Sequence, residues 1–409
     1  GFMPMAELRE ILSSIPCRHS LVILDCCFAG AFRWSATRHL GFSRGPLHKE
    51  RYEWYIKDQA WQVITSASHN QRALDVVAGD ALGNRGDGSS SHSPFATALL
   101  DALRGQADTR GKSGGRNGCV TATEIYIYIR ERLETSNARI HQTPGLWHLP
   151  KHQGGEFVFL TPGAKLALDP APNLIESLNP WRGLNPYTES DATLFFGRRR
   201  VADALAEKIA NREFTIVIGP SGSGKSSLVS AGAVPLLRTR SPQMLIASQP
   251  LRLSQRPFHD LSNYIQRVTG GGTSNELDAE AVISVTRAFV QSHPASQILI
   301  FIDQFEELLT NGALATDIYS FLEILHTLVK TLGQAIKICC TLRSDYEGAL
   351  PQSSLSEGWD EARFLMPPLT QDEYRKIIEE PAQLRVMRFE SEELVDELIN
   401  DVISVPTSL

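Results

Sequence analysis

Gly219-Pro220-Ser221-Gly222-Ser223-Gly224-Lys225-Ser226 lies between the apolar run Phe214 to Ile218 and the helix-patterned stretch Ser227 to Leu237. A strand, a glycine-rich turn and a helix in that order make a phosphate cradle. Gly219, Gly222 and Gly224 let the backbone curl until successive N–H groups point inward, and the helix N-terminus adds its positive end. Lys225 then reaches the β- and γ-phosphates of a nucleotide, and the Ser226 hydroxyl ligates Mg²⁺. Ser221, Ser223 and Ser227 complete the expected binding set. Downstream, the apolar strand Gln297 to Ile302 ends in Asp303-Gln304-Phe305-Glu306-Glu307. An acid at that place supplies the second Mg²⁺ ligand, usually through the metal's water shell.

The 409 residues suffice for two or three domains, each with its own core. Hydrophobic content of 42% and charged content of 21% are ordinary for globular protein, and a formal net charge of -6 gives no general attraction to nucleic acid or to an anionic membrane. No apolar run approaches the ~20 residues of a membrane helix, and a cytoplasmic protein is expected. The six cysteines, Cys17, Cys26, Cys27, Cys119, Cys339 and Cys340, show neither metal spacing nor a disulfide framework, so most read as small buried hydrophobes.

Pro162 to Pro186, with five prolines among small residues, reads as a connector. It leads to Phe195-Phe196-Gly197-Arg198, a segment that resembles the opening of STAND-type signalling ATPases. The resemblance covers about residues 180 to 409, and it implies that the Gly197-Arg198 turn packs beside the adenine of ATP or ADP. Arg199 stands where an acid is usual. In these ATPases the residue after the strand-end acid is commonly the water-activating glutamate, and here it is Gln304. Glutamine orients water but accepts its proton poorly, so slow hydrolysis is expected, with Glu306 or Glu307 as the substitute. Arg343, at the end of the strand Ala335 to Leu342, resembles the residue that senses the γ-phosphate; the other reading is a salt bridge to Asp345 or Glu347. Thr370-Gln371-Asp372-Glu373 is a helix-capping pattern, Glu379-Glu380-Pro381-Ala382 reads as the start of the next helix, and the two together read as the beginning of a helical lid.

In the first part of the chain, Met5 to Ile15 has helical spacing and Ser20 to Asp25 is a short buried strand ending in Asp25-Cys26-Cys27-Phe28-Ala29-Gly30. On those residues alone the cysteines are either structural or placed where α/β sheets hold ligands. Trp61 to Ser66 is a second buried strand. Ser93 and Pro94 open a helix through Arg104, another helix runs from about Ala122 to Leu133, and Glu156 to Leu160 is a last strand. This order, with Asp-Cys-Cys-Phe-Ala-Gly at its head, resembles the caspase-like fold of metacaspases over about residues 5 to 160. The resemblance implies that Cys27 is a peptidase nucleophile and that Asp25 lines the pocket for Arg or Lys before the scissile bond. The other role for Asp25 is that of a strand-end acid capping the next helix. The family's second pocket acid falls near Asn70, or near His69 in a shifted register. The family's general-base histidine lies about 50 residues before the cysteine, whereas Gly1 is 26 positions before Cys27, so either the chain is a fragment or the peptidase is incomplete. His19 is not assigned; both ends are expected to be cut. For the basic stretch Ala31 to Ala60 the metacaspase resemblance implies a linker cut by the enzyme itself after a basic residue, with Arg44 as the position; the other reading is a solvated basic loop. Gly79 to His92 reads as a surface loop whose aspartates lack EF-hand spacing, so no metal is assigned there.

The expected architecture is α/β throughout: a caspase-like domain at 1–162, a linker at 163–186, a P-loop NTPase domain at 187–366, and the start of a lid at 367–409. The resemblance implies a switch in which ADP holds a closed monomer, a trigger sensed by a C-terminal module outside this chain permits ATP exchange, and homo-oligomerisation activates cleavage of a peptide or protein substrate, as in defence or cell-death signalling. The alternative is an inactive caspase-like scaffold under nucleotide control. A histidine upstream of Gly1 favours the enzyme.

Overall fold

The computed structural model describes residues 5–26, 47–67, 92–108, 116–135, 142–270, 279–350 and 358–404. The chain divides into two compact units, Gly1–Leu174 with Gln383–Met387, and Ile175–Ala382 with Arg388–Leu409.

The first unit runs α1 (Met5–Ser14), β1 (His19–Leu24), α2 (Lys49–Lys57), β2 (Ala60–Thr65), α3 (Pro94–Asp101), β3 (Cys119–Thr121), α4 (Ala122–Thr135), β4 (Gly145–His148) and β5 (Val158–Leu160). β1 and β2 pair in parallel from His19 with Ala60 to Leu24 with Thr65, and β4 lies antiparallel on the far edge of β2. β3 and β5 form a separate antiparallel pair. Every residue of β2 is buried, which makes Gln62 an expensive occupant unless its amide is matched. Glu156 matches it: Oε1 accepts from Gln62 Nε2 at 3.1 Å and from the Thr123 N–H at 2.7 Å, while Gln62 Oε1 accepts from the Phe157 N–H at 2.9 Å. Burial pushes the Glu156 carboxyl up to about 7. Ile64, Phe95, Ala98, Ile125 and Ile129 fill the core between β2, α3 and α4. Ser93 caps α3 as its sequence implies, its Oγ accepting from the Ala96 N–H at 3.0 Å with Pro94 in the first turn.

Two expectations for this unit need correction. Ala31 to Ala60 is not loop throughout, because it contains α2, with Glu50 in its first turn and Lys57 in its last turn complementing the helix dipole; Arg33, Arg38 and Arg44 lie outside the described residues. Ser20 to Asp25 is not a buried strand: β1 lies at one edge of the β1-β2-β4 sheet among the described residues, none of its residues is buried and Ile23 is exposed. β3 and β4 are further strands, of three and four residues, too short to announce by periodicity.

The second unit runs α5 (Arg199–Asn211), β6 (Phe214–Gly219), α6 (Lys225–Ser227), α7 (Val234–Arg240), β7 (Met244–Ile246), α8 (Pro257–Thr269), α9 (Ala279–Ser292), β8 (Gln297–Ile302), α10 (Glu307–Thr310), α11 (Ala315–Leu332), β9 (Ile336–Arg343), α12 (Trp359–Ala362), β10 (Arg363–Leu365), α13 (Gln371–Leu384) and α14 (Glu392–Ser404). A wide helical turn over Leu228–Ala233 joins α6 to α7. The five strands are parallel in the order β10-β6-β9-β8-β7. Alternate residues supply two apolar faces. Ile216, Ile218, Ile298, Ile300, Ile302 and Ile338 pack with residues of α8, α9 and α11, whereas Val217, Leu299, Phe301 and Cys339 pack with residues of α5 and α7. That double burial is why these strands read as unbroken apolar runs. Cys339 and Cys340 are fully buried, and burial raises both thiols above their ordinary range, as small hydrophobes would behave.

Residues 371–384 form one helix, so Glu379-Glu380-Pro381-Ala382 does not open a new one. Proline removes the N–H that would bond the carbonyl four residues earlier. That carbonyl, on Ile377, accepts instead from the Trp181 indole Nε1 at 3.3 Å. The capping pattern before it forms as expected: the Thr370 N–H donates to Glu373 Oε2 at 2.9 Å and the Glu373 N–H donates to Thr370 Oγ1 at 3.3 Å. Among the described residues no helix is long and apolar enough to cross a membrane.

Candidate functional site

Strand order places the carboxyl ends of β6, β8 and β9 side by side. Gly219, the last residue of β6, pairs with Arg343, the last of β9, and Asp303 follows β8 directly. The chain leaves β6 through Gly222 and Gly224, both with positive φ (73° and 83°), a conformation open to glycine. A Cβ on Gly219 would lie 2.9 Å from Ser223 Oγ and 2.8 Å from Met366 Cβ, so only glycine keeps the cradle open.

Lys225 is 8% exposed, and its Nζ donates to the Gly219 and Pro220 carbonyls at 3.0 and 2.7 Å. Burial pulls its ammonium below the ordinary range, and the nearby Glu306 charge opposes that. Ser226 Oγ donates to Asp303 Oδ1 at 2.6 Å, which brings the two expected Mg²⁺ ligands together. Ser223 Oγ is buried without a hydrogen-bond partner among the described residues, a polar atom available to a phosphate oxygen. Ser221 and Ser223 lie within the loop, and Ser227 Oγ accepts from the Tyr187 N–H at 3.0 Å, tying residue 187 to the helix after the loop. These groups fit a nucleotide phosphate and a hard divalent cation, with two oxygens for the metal and a buried ammonium for the anion.

Gly197 sits against α13, and Arg198 against the segment before it. Gly197, at φ 80°, would place a Cβ 2.7 Å from Ile377 Cγ1 and 2.8 Å from the Glu373 carbonyl. Arg198 is 5% exposed and donates to the Pro367 carbonyl at 2.7 Å. Arg343 donates to Asp345 from Nε at 3.1 Å and from Nη2 at 2.7 Å, the salt-bridge alternative that its sequence left open.

Three contributors were not read from the sequence. Thr341 Oγ1 donates to Asp303 Oδ1 at 2.6 Å and accepts from the Gln304 N–H at 2.8 Å. Arg252 pairs with Asp303 Oδ2 at 2.5 Å and with Glu307 at 3.4 Å, and donates to the Gln304 side chain. Tyr187 is the third. Leu251 and Leu253 are buried on either side of Arg252, and Leu251 bridges in parallel to Ile302, which brings Arg252 to the carboxyl end of β8.

In the first unit Asp25 is exposed at the carboxyl end of β1 and accepts from the Ser93 hydroxyl at the start of α3. His19 Nε2 lies 2.8 Å from the Asp58 carbonyl. Cys27, Asn70 and His69 lie outside the described residues.

A family model described as Novel STAND NTPase 1 matches residues 180–409. The Phosphonates import ATP-binding protein of Pseudomonas putida is 40% identical over 65 residues, 16% of this chain and 24% of that protein. Among solved structures, the chain is similar to the Aeropyrum pernix ORC2 protein in ADPNP and ADP complexes (17% identity, TM-score 0.37, covering 50% of this chain and 55% of that one). It is also similar to AMPPCP-bound DnaA from Aquifex aeolicus (19% identity, TM-score 0.32, covering 53% and 60%). The chain thus spans about a quarter of the curated relative and little more than half of each of these two structures.

Proposed function

Since this chain belongs to the Novel STAND NTPase 1 family, we propose that residues 187–366 bind ATP and ADP with Mg²⁺, hydrolyse ATP slowly, and serve as a switch whose two nucleotide states differ in their tendency to self-associate. The observation that carries the reading is the 2.6 Å contact between Ser226 Oγ and Asp303 Oδ1 beside the buried Lys225 ammonium. The loop N–H groups and Lys225 neutralise phosphate charge. Ser226 and Asp303 hold Mg²⁺, which supplies charge stabilisation to the transferring phosphoryl group. Thr341 and Arg252 fix the Asp303 carboxylate so that its oxygens need no reorganisation. Arg343 must leave Asp345 to reach a γ-phosphate, so nucleotide state and the β9 end are coupled through that ion pair. A switch needs differential binding between its states, and this exchange of partners is one source of it.

The same proposal assigns residues 1–162 to a caspase-like cysteine peptidase with Cys27 as nucleophile, joined by 163–186 to the NTPase, with 367–409 as the start of the lid, all in the cytoplasm. What supports it is the parallel β1–β2 pair, with Asp25 directly after its last residue Leu24 and two residues before Cys27, together with the metacaspase resemblance. Asp25 on Ser93 also serves the structural alternative. Cleavage of a fluorogenic peptide with Arg before the scissile bond, with and without ATP and Mg²⁺, decides between peptidase and scaffold. We expect nucleotide-dependent turnover that Cys27→Ala abolishes. Nucleotide-driven assembly without turnover would establish the scaffold, with the first unit acting as an interaction module.

A further inference from the structure

We propose that Glu306 is the carboxylate that takes the proton from the water attacking the γ-phosphate, in place of Gln304 and in preference to Glu307; the assignment rests on the nucleotide reading above. A general base here must stand at the carboxyl edge of the sheet, face the phosphate-binding ammonium and keep a basic oxygen that no ion pair has taken.

Four side chains after β8 compete for the role. Both oxygens of Asp303 are engaged, Oδ1 by Ser226 and Thr341 and Oδ2 by Arg252. Gln304 has no basic oxygen, and its amide is held by Arg252. Its φ of 56° is a left-handed conformation uncommon outside glycine. Directly after that turn, Phe305 is fully buried in the core and its N–H donates to the Thr341 carbonyl at 2.7 Å. Glu307 is paired with Arg252 at 3.4 Å. Burial lifts its carboxyl above the ordinary range, and the Arg252 charge opposes that.

Glu306 alone remains. It is 8% exposed, and its Oε2 accepts from the Arg343 N–H at 3.2 Å, which fixes the carboxylate between the ends of β8 and β9. That backbone N–H belongs to the residue paired with Gly219 at the start of the phosphate loop. Glu306 makes no ion pair among the described residues, and its charge acts on Lys225 and on Arg343. The site therefore has its base two residues later than the position that alignment by strand end would assign, and Arg252 keeps the neighbouring groups out of the way. In the step itself, the water oxygen bonds to the γ-phosphorus and the bond to the β–γ bridging oxygen breaks. ADP leaves with that electron pair, and the proton taken by Glu306 passes to inorganic phosphate.

The test measures ATP hydrolysis with Mg²⁺ and the affinity for a fluorescent ATP derivative in the unmodified chain, Glu306→Gln, Glu306→Asp and Glu307→Gln. General-base catalysis contributes roughly 10²–10⁴-fold, so Glu306→Gln is expected to lower kcat by about 100-fold or more while nucleotide affinity stays within about threefold. Glu306→Asp should recover part of the rate, and Glu307→Gln should lose at least about tenfold less than Glu306→Gln. Hydrolysis by Glu306→Gln within about threefold of the unmodified chain overturns the assignment. So does a loss of rate and affinity together, which would mark Glu306 as a structural support for β9. Failure of the unmodified chain to bind the fluorescent nucleotide would instead remove the nucleotide reading itself.

Discussion

Replacing Lys225 with alanine should weaken ATP binding by about 100-fold, or ~2.7 kcal/mol, measured by titration with a fluorescent ATP derivative. The size follows from where the ammonium sits. It is 8% exposed and is held by two carbonyls of the loop it serves, at 3.0 and 2.7 Å, so little side-chain freedom remains to be lost when a phosphate arrives. Hydrogen bonds to charged groups contribute roughly 1.5–3 kcal/mol each, and at least one such bond to phosphate disappears with the lysine. Alanine is the best helix former, so the helix start should survive and the unfolding midpoint should change little. An affinity within about threefold of the unmodified chain would take Lys225 out of the site, and a collapsed unfolding transition would mean that the substitution had tested the fold instead.

The largest stability effect is expected at Gly197. Its φ of 80° and the 2.8 Å approach of an added Cβ to the Glu373 carbonyl mean that alanine would meet both backbone strain and a backbone atom of the first turn of α13. A left-handed non-glycine residue costs roughly 1–3 kcal/mol, and overpacking adds roughly 1–3 kcal/mol, so Gly197→Ala should lose about 2–4 kcal/mol in chemical denaturation. Gly270→Ala is the internal reference. Its φ is 73° with nothing within 4 Å among the described residues, so it bears the strain without the clash. Equal losses at the two positions would mean that α13 gives way freely, and the proposed closeness of the Gly197-Arg198 turn to the lid would carry no stability.

The parts of this site that the sequence made legible are those whose chemistry is local. β8 runs from Gln297 to Ile302 as read, because Ile298 to Ile302 alternate between two apolar layers with no polar residue among them. The cradle was legible because the same short stretch supplies both its donors and its turns. Thr341 and Arg252 were not, because their partner Asp303 is 38 and 51 positions away and only the strand order brings them to it. Arg343 illustrates a third case: both of its readings were available, and the bond to Asp345 two residues on shows which partner it holds here. In the first unit the positions of β1 and β2 were legible, although only β2 is buried, whereas α2, β3 and β4 were hidden by a basic surface and by shortness. Pro381 misled for a physical reason. Proline usually marks a helix boundary, and here a tryptophan from a distant stretch supplies the donor that lets the helix continue.

That donor should tie Trp181 to Pro381 when either position changes. With proline at 381 the Ile377 carbonyl has no partner within its own helix, so loss of the indole would leave it orphaned; with any other residue at 381 the helix supplies its own N–H and the indole is no longer required. Lineages that change one position are therefore released to change the other, and the two should drift together although 196 positions separate Trp181 from the carbonyl it serves.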